Sequence, residues 1–157
     1  MAQTGFVLTD EARTITVTND SGTTAIEAGD ICFSETNDDV MGGTAAEARN
    51  AYGNGDVLVK SMTDSATGYL TVIGVAIEDI PADGVGAIAM EGVFLHATNA
   101  NVEAGCSLQG DEAASNKVDP YALATTSCSA TDFSTKIGKA LTGGTTDGEY
   151  IVWKLNI

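Results

Sequence analysis

A short signature occurs twice in this chain. Ile73-Gly74-x-Ala76-Ile77, followed by Asp83-Gly84, returns as Ile137-Gly138-x-Ala140-Leu141, followed by Asp147-Gly148, each position 64 residues downstream of its counterpart. Upstream, Ile26-Glu27-Ala28-Gly29 is echoed 76 residues later by Val102-Glu103-Ala104-Gly105, so 12 more residues separate the two motifs in the first copy. The physical content of the signature is a strand, a tight turn and a strand. Glycine inside Ile-Gly-x-Ala bends a strand or admits another backbone, and Asp-Gly supplies a tight turn. Gly74, Asp83, Gly84, Gly138, Asp147 and Gly148 are therefore expected to be structural turn and core positions. After the second turn Ile151, Trp153, Leu155 and Ile157 alternate with Val152, Lys154 and Asn156, which places Trp153 on the inward face. Val85 to Met90 takes the same place in the first copy.

The rest of the chain reads as β structure of the same kind. Thr14-Ile15-Thr16-Val17-Thr18 alternates polar and β-branched apolar residues and runs into the turn formers Asn19-Asp20-Ser21-Gly22. Ile31 to Phe33, Val57 to Met62, Tyr69 to Ile77, Val85 to Leu95 and Glu149 to Ile157 are further β-rich segments, separated by Gly, Asp, Ser and Thr. The expected class is all-β, a β-sandwich or small β-barrel with an internal pseudo-repeat and long loops. A single short helix is expected near 44–52, where Thr44 and Glu47 form a capping box and Gly53 stops an alanine-rich run. Residues 111–135 show no period that assigns them an element. The domain plan is an N-terminal arm, 1–9, and one β-rich domain, 10–157, with pseudo-repeats at about 26–95 and 102–157.

The composition then excludes whole classes of function. At 157 residues the chain suits one domain with a core that needs no disulfide staples. Its 22 acidic against 7 basic residues give a formal charge of −15, and affinity for nucleic acid comes mainly from Lys and Arg displacing counterions. No nucleic acid and no membrane surface is expected as a partner. No apolar run approaches the length of about 20 residues that spans a bilayer. Met1-Ala2-Gln3-Thr4-Gly5 lacks the basic start and apolar block of a secretory signal, so synthesis in the cytoplasm is expected.

Reactive chemistry has little to work with. A Ser-His-Asp or Cys-His set would depend on the single histidine, His96, beside Leu95 at the end of an apolar strand, where a packed or rim histidine is the simpler expectation. Cys32, Cys106 and Cys128 form an odd set without a C-x-x-C pair and read as buried free thiols. Gly42-Gly43-Thr44 and Gly143-Gly144-Thr145 lack the lysine of a phosphate loop and read as turns. Glu35 to Asp39 and Thr18 to Ser21 offer oxygens but miss the spacing of a calcium loop. No catalytic residue, cofactor or metal is assigned. What remains is surface binding: Phe6-Val7-Leu8 after a polar lead could add a strand to a partner's sheet edge, or could be the first core strand.

In order, Ile26-Glu-Ala-Gly-Asp30, Ile73-Gly-Val-Ala-Ile77, Ala82-Asp-Gly84, Glu91-Gly-Val-Phe94, Val102-Glu-Ala-Gly105 and Ile137-Gly-Lys-Ala140 with a closing β segment resemble the small capsid decoration, or cement, proteins of tailed phages. The resemblance implies a non-enzymatic, β-rich virion protein, often a homotrimer, on the outer surface of the head. It implies the major capsid protein as partner, and an N-terminal arm that pairs with capsid strands through Thr4, Phe6, Val7 and Leu8. The insertion at 34–56 departs from that pattern. A tail, fibre or adhesin-like module built from the same repeats is the alternative. Charge adds an orientation: ten acids but only Arg13 and Arg49 lie in residues 1–59, whereas Lys117, Lys136, Lys139 and Lys154 lie in the last 41, so the acidic N-terminal part is expected to face solvent.

Overall fold

The duplication runs through the whole strand order. The computed structural model describes residues 5–7, 13–34, 57–64, 71–111, 113, 115–121 and 136–157. Strand β1 (Gly5–Val7) is followed by β2 (Thr14–Asn19), β3 (Ile31–Ser34), β4 (Leu58–Ser61), β5 (Val72–Ala76) and β6 (Val85–Ala89). Then come β7 (Glu91–Thr98), β8 (Ser107–Gly110), β9 (Lys117–Pro120), β10 (Gly138–Ala140) and β11 (Tyr150–Asn156). Strands β2 to β6 close one barrel, and β7 to β11 close a second through the β7–β9 pairing. Each ladder of the first has its counterpart in the second. The parallel β2–β4 pair matches β7–β9, and the antiparallel β2–β6, β3–β4, β3–β5 and β5–β6 pairs match β7–β11, β8–β9, β8–β10 and β10–β11. The all-β class with an internal repeat is thus realised as two barrels, not a sandwich.

Equivalent positions follow from the ladders. Asn19 N–H donates to Gly84 O as Thr98 N–H donates to Glu149 O, and Val17 pairs with Gly86 as His96 pairs with Ile151. The two-way bridge between Ile26 and Ile80 recurs between Val102 and Gly144. The second unit opens at Glu91, ahead of the boundary at 102, and the apolar run Val85 to Leu95 is two strands belonging to different barrels. The turn is also displaced by one residue: Asp83 (φ 55°) is matched by Gly148 (φ 81°), not by Asp147. Both occupy the left-handed region, which glycine enters freely and aspartate tolerates better than most residues. One extra residue in the loop 141–149 relative to 77–84 causes the displacement.

Gly74 and Gly138, by contrast, serve the same purpose in both barrels. A Cβ on Gly74 would lie 2.6 Å from Ala89 O and 2.8 Å from Ile88 Cδ1, and one on Gly138 would meet Lys154 O and, at 2.9 Å, the Trp153 ring. Close backbone approach across the β5–β6 and β10–β11 pairs is what the repeated glycine permits.

Val17, Ile26, Cys32, Val59, Ala76, Ile80 and Ile88 fill the first barrel. On β3 and β5 the alternate residues Ile31, Phe33 and Val75 are buried as well, within a cluster that continues into Phe94, Leu108, Ile151 and Trp153 of the second barrel. A strand buried on both faces reads as a continuous apolar run, which is how Ile31-Cys32-Phe33 and Val72-Ile73-Gly74-Val75-Ala76 appear. The second barrel therefore packs on the β3–β5 face of the first. Within β11, Ile151, Trp153 and Leu155 are buried as expected, but Ile157 at the chain end is 52% exposed. The helix expected at 44–52 lies outside the described residues.

Candidate functional site

The one histidine and the one tryptophan of the chain meet inside the second barrel. His96 on β7 and Trp153 on β11 point inward, with Phe94 beside them, at ring separations of 5.6 Å (His96–Trp153) and 5.8 Å (Phe94–Trp153). Trp153 Nε1–H donates to His96 Nδ1 at 3.0 Å. Indole nitrogen can only donate, so Nδ1 must be the unprotonated nitrogen, and Nε2–H then donates to Gly29 O at 2.7 Å. Gly29 (φ 93°) belongs to a turn of the first barrel closed by Asp30 N–H to Glu27 O. The histidine thus ties the core of one barrel to a turn of the other.

Asn116 grips the same turn from the loop before β9. Its Oδ1 accepts from Ile31 N–H at 2.7 Å, and its Nδ2 donates to Asp30 Oδ1 at 2.8 Å and to Gly29 O at 3.3 Å. Asp30 Oδ2 accepts from Glu27 N–H at 3.1 Å. Burial raises the Asp30 carboxyl above its ordinary value, against the hydrogen bonds from Glu27 N–H and the Ser61 side chain, which act the other way. Burial also lowers His96 from 6.5 to about 4, although its bond to Gly29 acts the other way. Both ring nitrogens are engaged, so His96 is a structural group at the seam, as the packed-histidine expectation had it.

This geometry sets a pH dependence. The unfolded chain protonates His96 near 6.5 and the folded chain only near 4, so between those values the unfolded state binds more protons. The stability due to neutral His96 is fully present above pH 6.5 and is lost as pH falls toward 4, on the order of 3 kcal/mol in all. Asp30, raised in the folded state, acts oppositely at the acid end, because there the folded state holds its proton longer. Urea midpoints at pH 7.5 and 4.5 should differ accordingly, and His96→Gln should flatten the difference.

The other expected positions are distributed through the fold. β1 lies antiparallel on β7, with Gly5, Phe6 and Val7 opposite His96, Leu95 and Phe94. Thr4 and Leu8 lie outside the described residues, as do Cys128 and Glu35 to Asp39. Gly74 and Gly138 are ladder positions, Asp83, Gly84, Asp147 and Gly148 are turn positions, and Trp153 is core. Cys32 is a buried free thiol whose ionisation burial disfavours, and Cys106 is a half-buried one. In Thr18 to Ser21 the Asn19 amide donates to Thr24 O and Pro81 O and its Oδ1 accepts from Ser21 N–H, so that loop uses its polar atoms internally. Among the described residues no three metal-ligating side chains converge.

Asn116, and the part Asp30 plays at the seam, escaped the sequence reading. Asn116 sits in a stretch without period, and Asp30 resembled any acidic turn residue. The outer surfaces repeat as well: Ile77 (36% exposed) and Val85 (64%) of the first barrel correspond to Leu141 (49%) and Tyr150 (46%) of the second. No protein-family model and no curated protein matches the sequence. Among solved structures, the N base of the head fibre gp8.5 of bacteriophage phi29 is similar in fold, with a TM-score of 0.51 at 12% identity over 92% of this chain and 94% of that one.

Proposed function

We propose that this chain is a non-enzymatic structural protein of a tailed-phage head. The observation that supports it is the fold shared, over nearly the whole length of both chains, with the N base of a phage head fibre. Two features fit that role. The barrels are locked to each other through His96 and Asn116, as a bracing element requires, and the strand β1 lies at the border of its sheet with one side toward β7.

In the decoration version the chain sits on the outer surface of the capsid and ties major capsid subunits together, as a homotrimer. The arm residues Thr4, Phe6, Val7 and Leu8 provide the contact: β1, paired with β7 on one side, presents to a capsid strand the side on which no other described strand pairs with it. Removing residues 1–9 should then lower binding to expanded heads at least about tenfold while the far-UV circular dichroism stays that of the intact chain. Full binding by the shortened chain would overturn the arm contact. The fibre version, in which the chain is the base of a projection from the head, is favoured by the identity of the structural neighbour. Negative-stain microscopy separates them: continuous surface density on heads supports decoration, and discrete projections support a fibre base.

A further inference from the structure

The face on which the first barrel receives the second has a counterpart on the second barrel, and there its chemistry is inverted. Ile31 and Phe33 of β3, Val72 and Val75 of β5 and Ala89 of β6 are buried at the seam. At the equivalent positions the second barrel carries Ser107, Gln109, Lys136, Lys139 and Lys154, because Lys139 lies opposite Ser107 and Lys154 as Val75 lies opposite Ile31 and Ala89. The three lysines are exposed, and Ser107 and Gln109 are half-buried. Three of the seven cations of a chain with 22 acids thus stand together on one sheet face. Lys139 and Lys154 are direct cross-strand neighbours, a pairing that is unfavourable for like charges. Lys154 Nζ comes only to 4.0 Å from Glu91 Oε1, and among the described residues no carboxylate pairs with Lys136 or Lys139.

We infer that this lysine face of β8, β10 and β11 docks a carboxylate-bearing segment of a partner protein. The same place on the first barrel is already a protein interface, filled by the second barrel. What the second barrel offers there is three cations that the fold itself leaves short of counter-charge, so the complement is a row of carboxylates. Placing two lysines opposite each other costs stability, and a local cost of that kind is the mark of a surface shaped for a role other than folding. A phosphate polyanion is the poorer fit: among the described residues the face has no arginine to grip phosphate bidentately, and the chain's net charge opposes so dense an array of negative charge.

A second copy of this chain is the weaker occupant. Stacked as the second barrel stacks on the first, it would bury Lys136, Lys139 and Lys154 under an apolar interface and strip them of water without pairing them. The inference does not rest on the virion role.

The test titrates the full chain with the peptide Thr-Glu-Thr-Glu-Thr-Glu and follows amide and lysine side-chain shifts by NMR. Salt is held at about 0.1 M, where a Debye length of about 10 Å lets the peptide sense the local face and not the whole chain. Peptide at about 1 mM should shift Lys136, Lys139, Lys154, Ser107 and Gln109 saturably, and the glutamine version, Thr-Gln-Thr-Gln-Thr-Gln, should bind at least about tenfold more weakly. Lys139→Glu should weaken binding of the glutamate peptide at least about tenfold and yet raise the urea midpoint, since it replaces a like-charge pair with an opposite one. Loss of binding in a more stable protein cannot come from misfolding. Should Lys139→Glu fail to fold, Lys136→Gln takes its place, with a loss of about threefold or more expected. The inference is overturned by equal binding of the two peptides, by binding that either variant leaves unchanged, or by no shifts at about 5 mM peptide. It is equally overturned if inorganic phosphate at the same concentration produces the same shifts, or if sedimentation shows the chain associating with itself through this face and Lys139→Glu abolishing that association.

Discussion

Trp153→Ala should destabilise the chain by about 3–5 kcal/mol, the usual range for deleting a fully buried large aromatic side chain. Three losses coincide at this position. The indole fills the second barrel against Phe94 and the backbone that Gly138 admits. Its N–H satisfies His96 Nδ1, which would be left buried without that donor. Through His96 the change also reaches Gly29 and the seam. Trp153→Phe keeps most of the ring volume but not the donor, and should cost about 1–3 kcal/mol. The diagnostic is pH: without the indole donor, neutral His96 loses a stabilising bond, so its folded-state value should rise toward 6.5 and the acid loss of stability should shrink. Urea titrations at two pH values measure both effects. Unchanged acid sensitivity in Trp153→Phe would mean that burial alone holds His96 neutral and that the Trp153 bond adds nothing to it.

Much of the architecture was written in the sequence where local physics and tertiary demand coincide. The repeated Ile-Gly-x-Ala could be read because close backbone approach admits no side chain in either barrel. The alternation on β11 could be read because one face is buried and the other is not. Strands β8 and β9 could not, since Ser107-Leu108-Gln109-Gly110 and Lys117-Val118-Asp119-Pro120 have one buried apolar residue each and owe their pairing to their neighbours. The choice of barrels over a sandwich rests on the parallel β2–β4 and β7–β9 pairings, which no local pattern encodes. The seam was illegible for a related reason. Its contacts join residues such as Gly29 and His96 or Asp30 and Asn116, far apart in sequence and each ordinary alone.

The duplicated barrels also contain an exchange of large for small that predicts its own rescue. In the first barrel Ile80 is large and Gly86 small, and a Cβ on Gly86 would lie 2.5 Å from Ile80 Cγ1. At the equivalent pair in the second barrel the sizes are reversed: Gly144 is small, Ile151 is large, and a Cβ on Gly144 would lie 3.0 Å from Ile151 Cγ2. One isoleucine fills a single space from opposite sides in the two barrels. Ile80→Gly alone should cost about 4 kcal/mol, for a cavity at a fully buried site and a freer backbone. Gly86→Ile alone should cost about 3 kcal/mol or more, because its branches meet Ile80. The double substitution recreates the second barrel's arrangement, so its cost should fall short of the sum by about 2–3 kcal/mol. A coupling of that size, from urea unfolding of the four proteins, would show that the repeats solve one packing problem twice. Additivity within about 0.5 kcal/mol would mean that the two side chains do not share the space, and that the equivalence of these positions ends at the backbone.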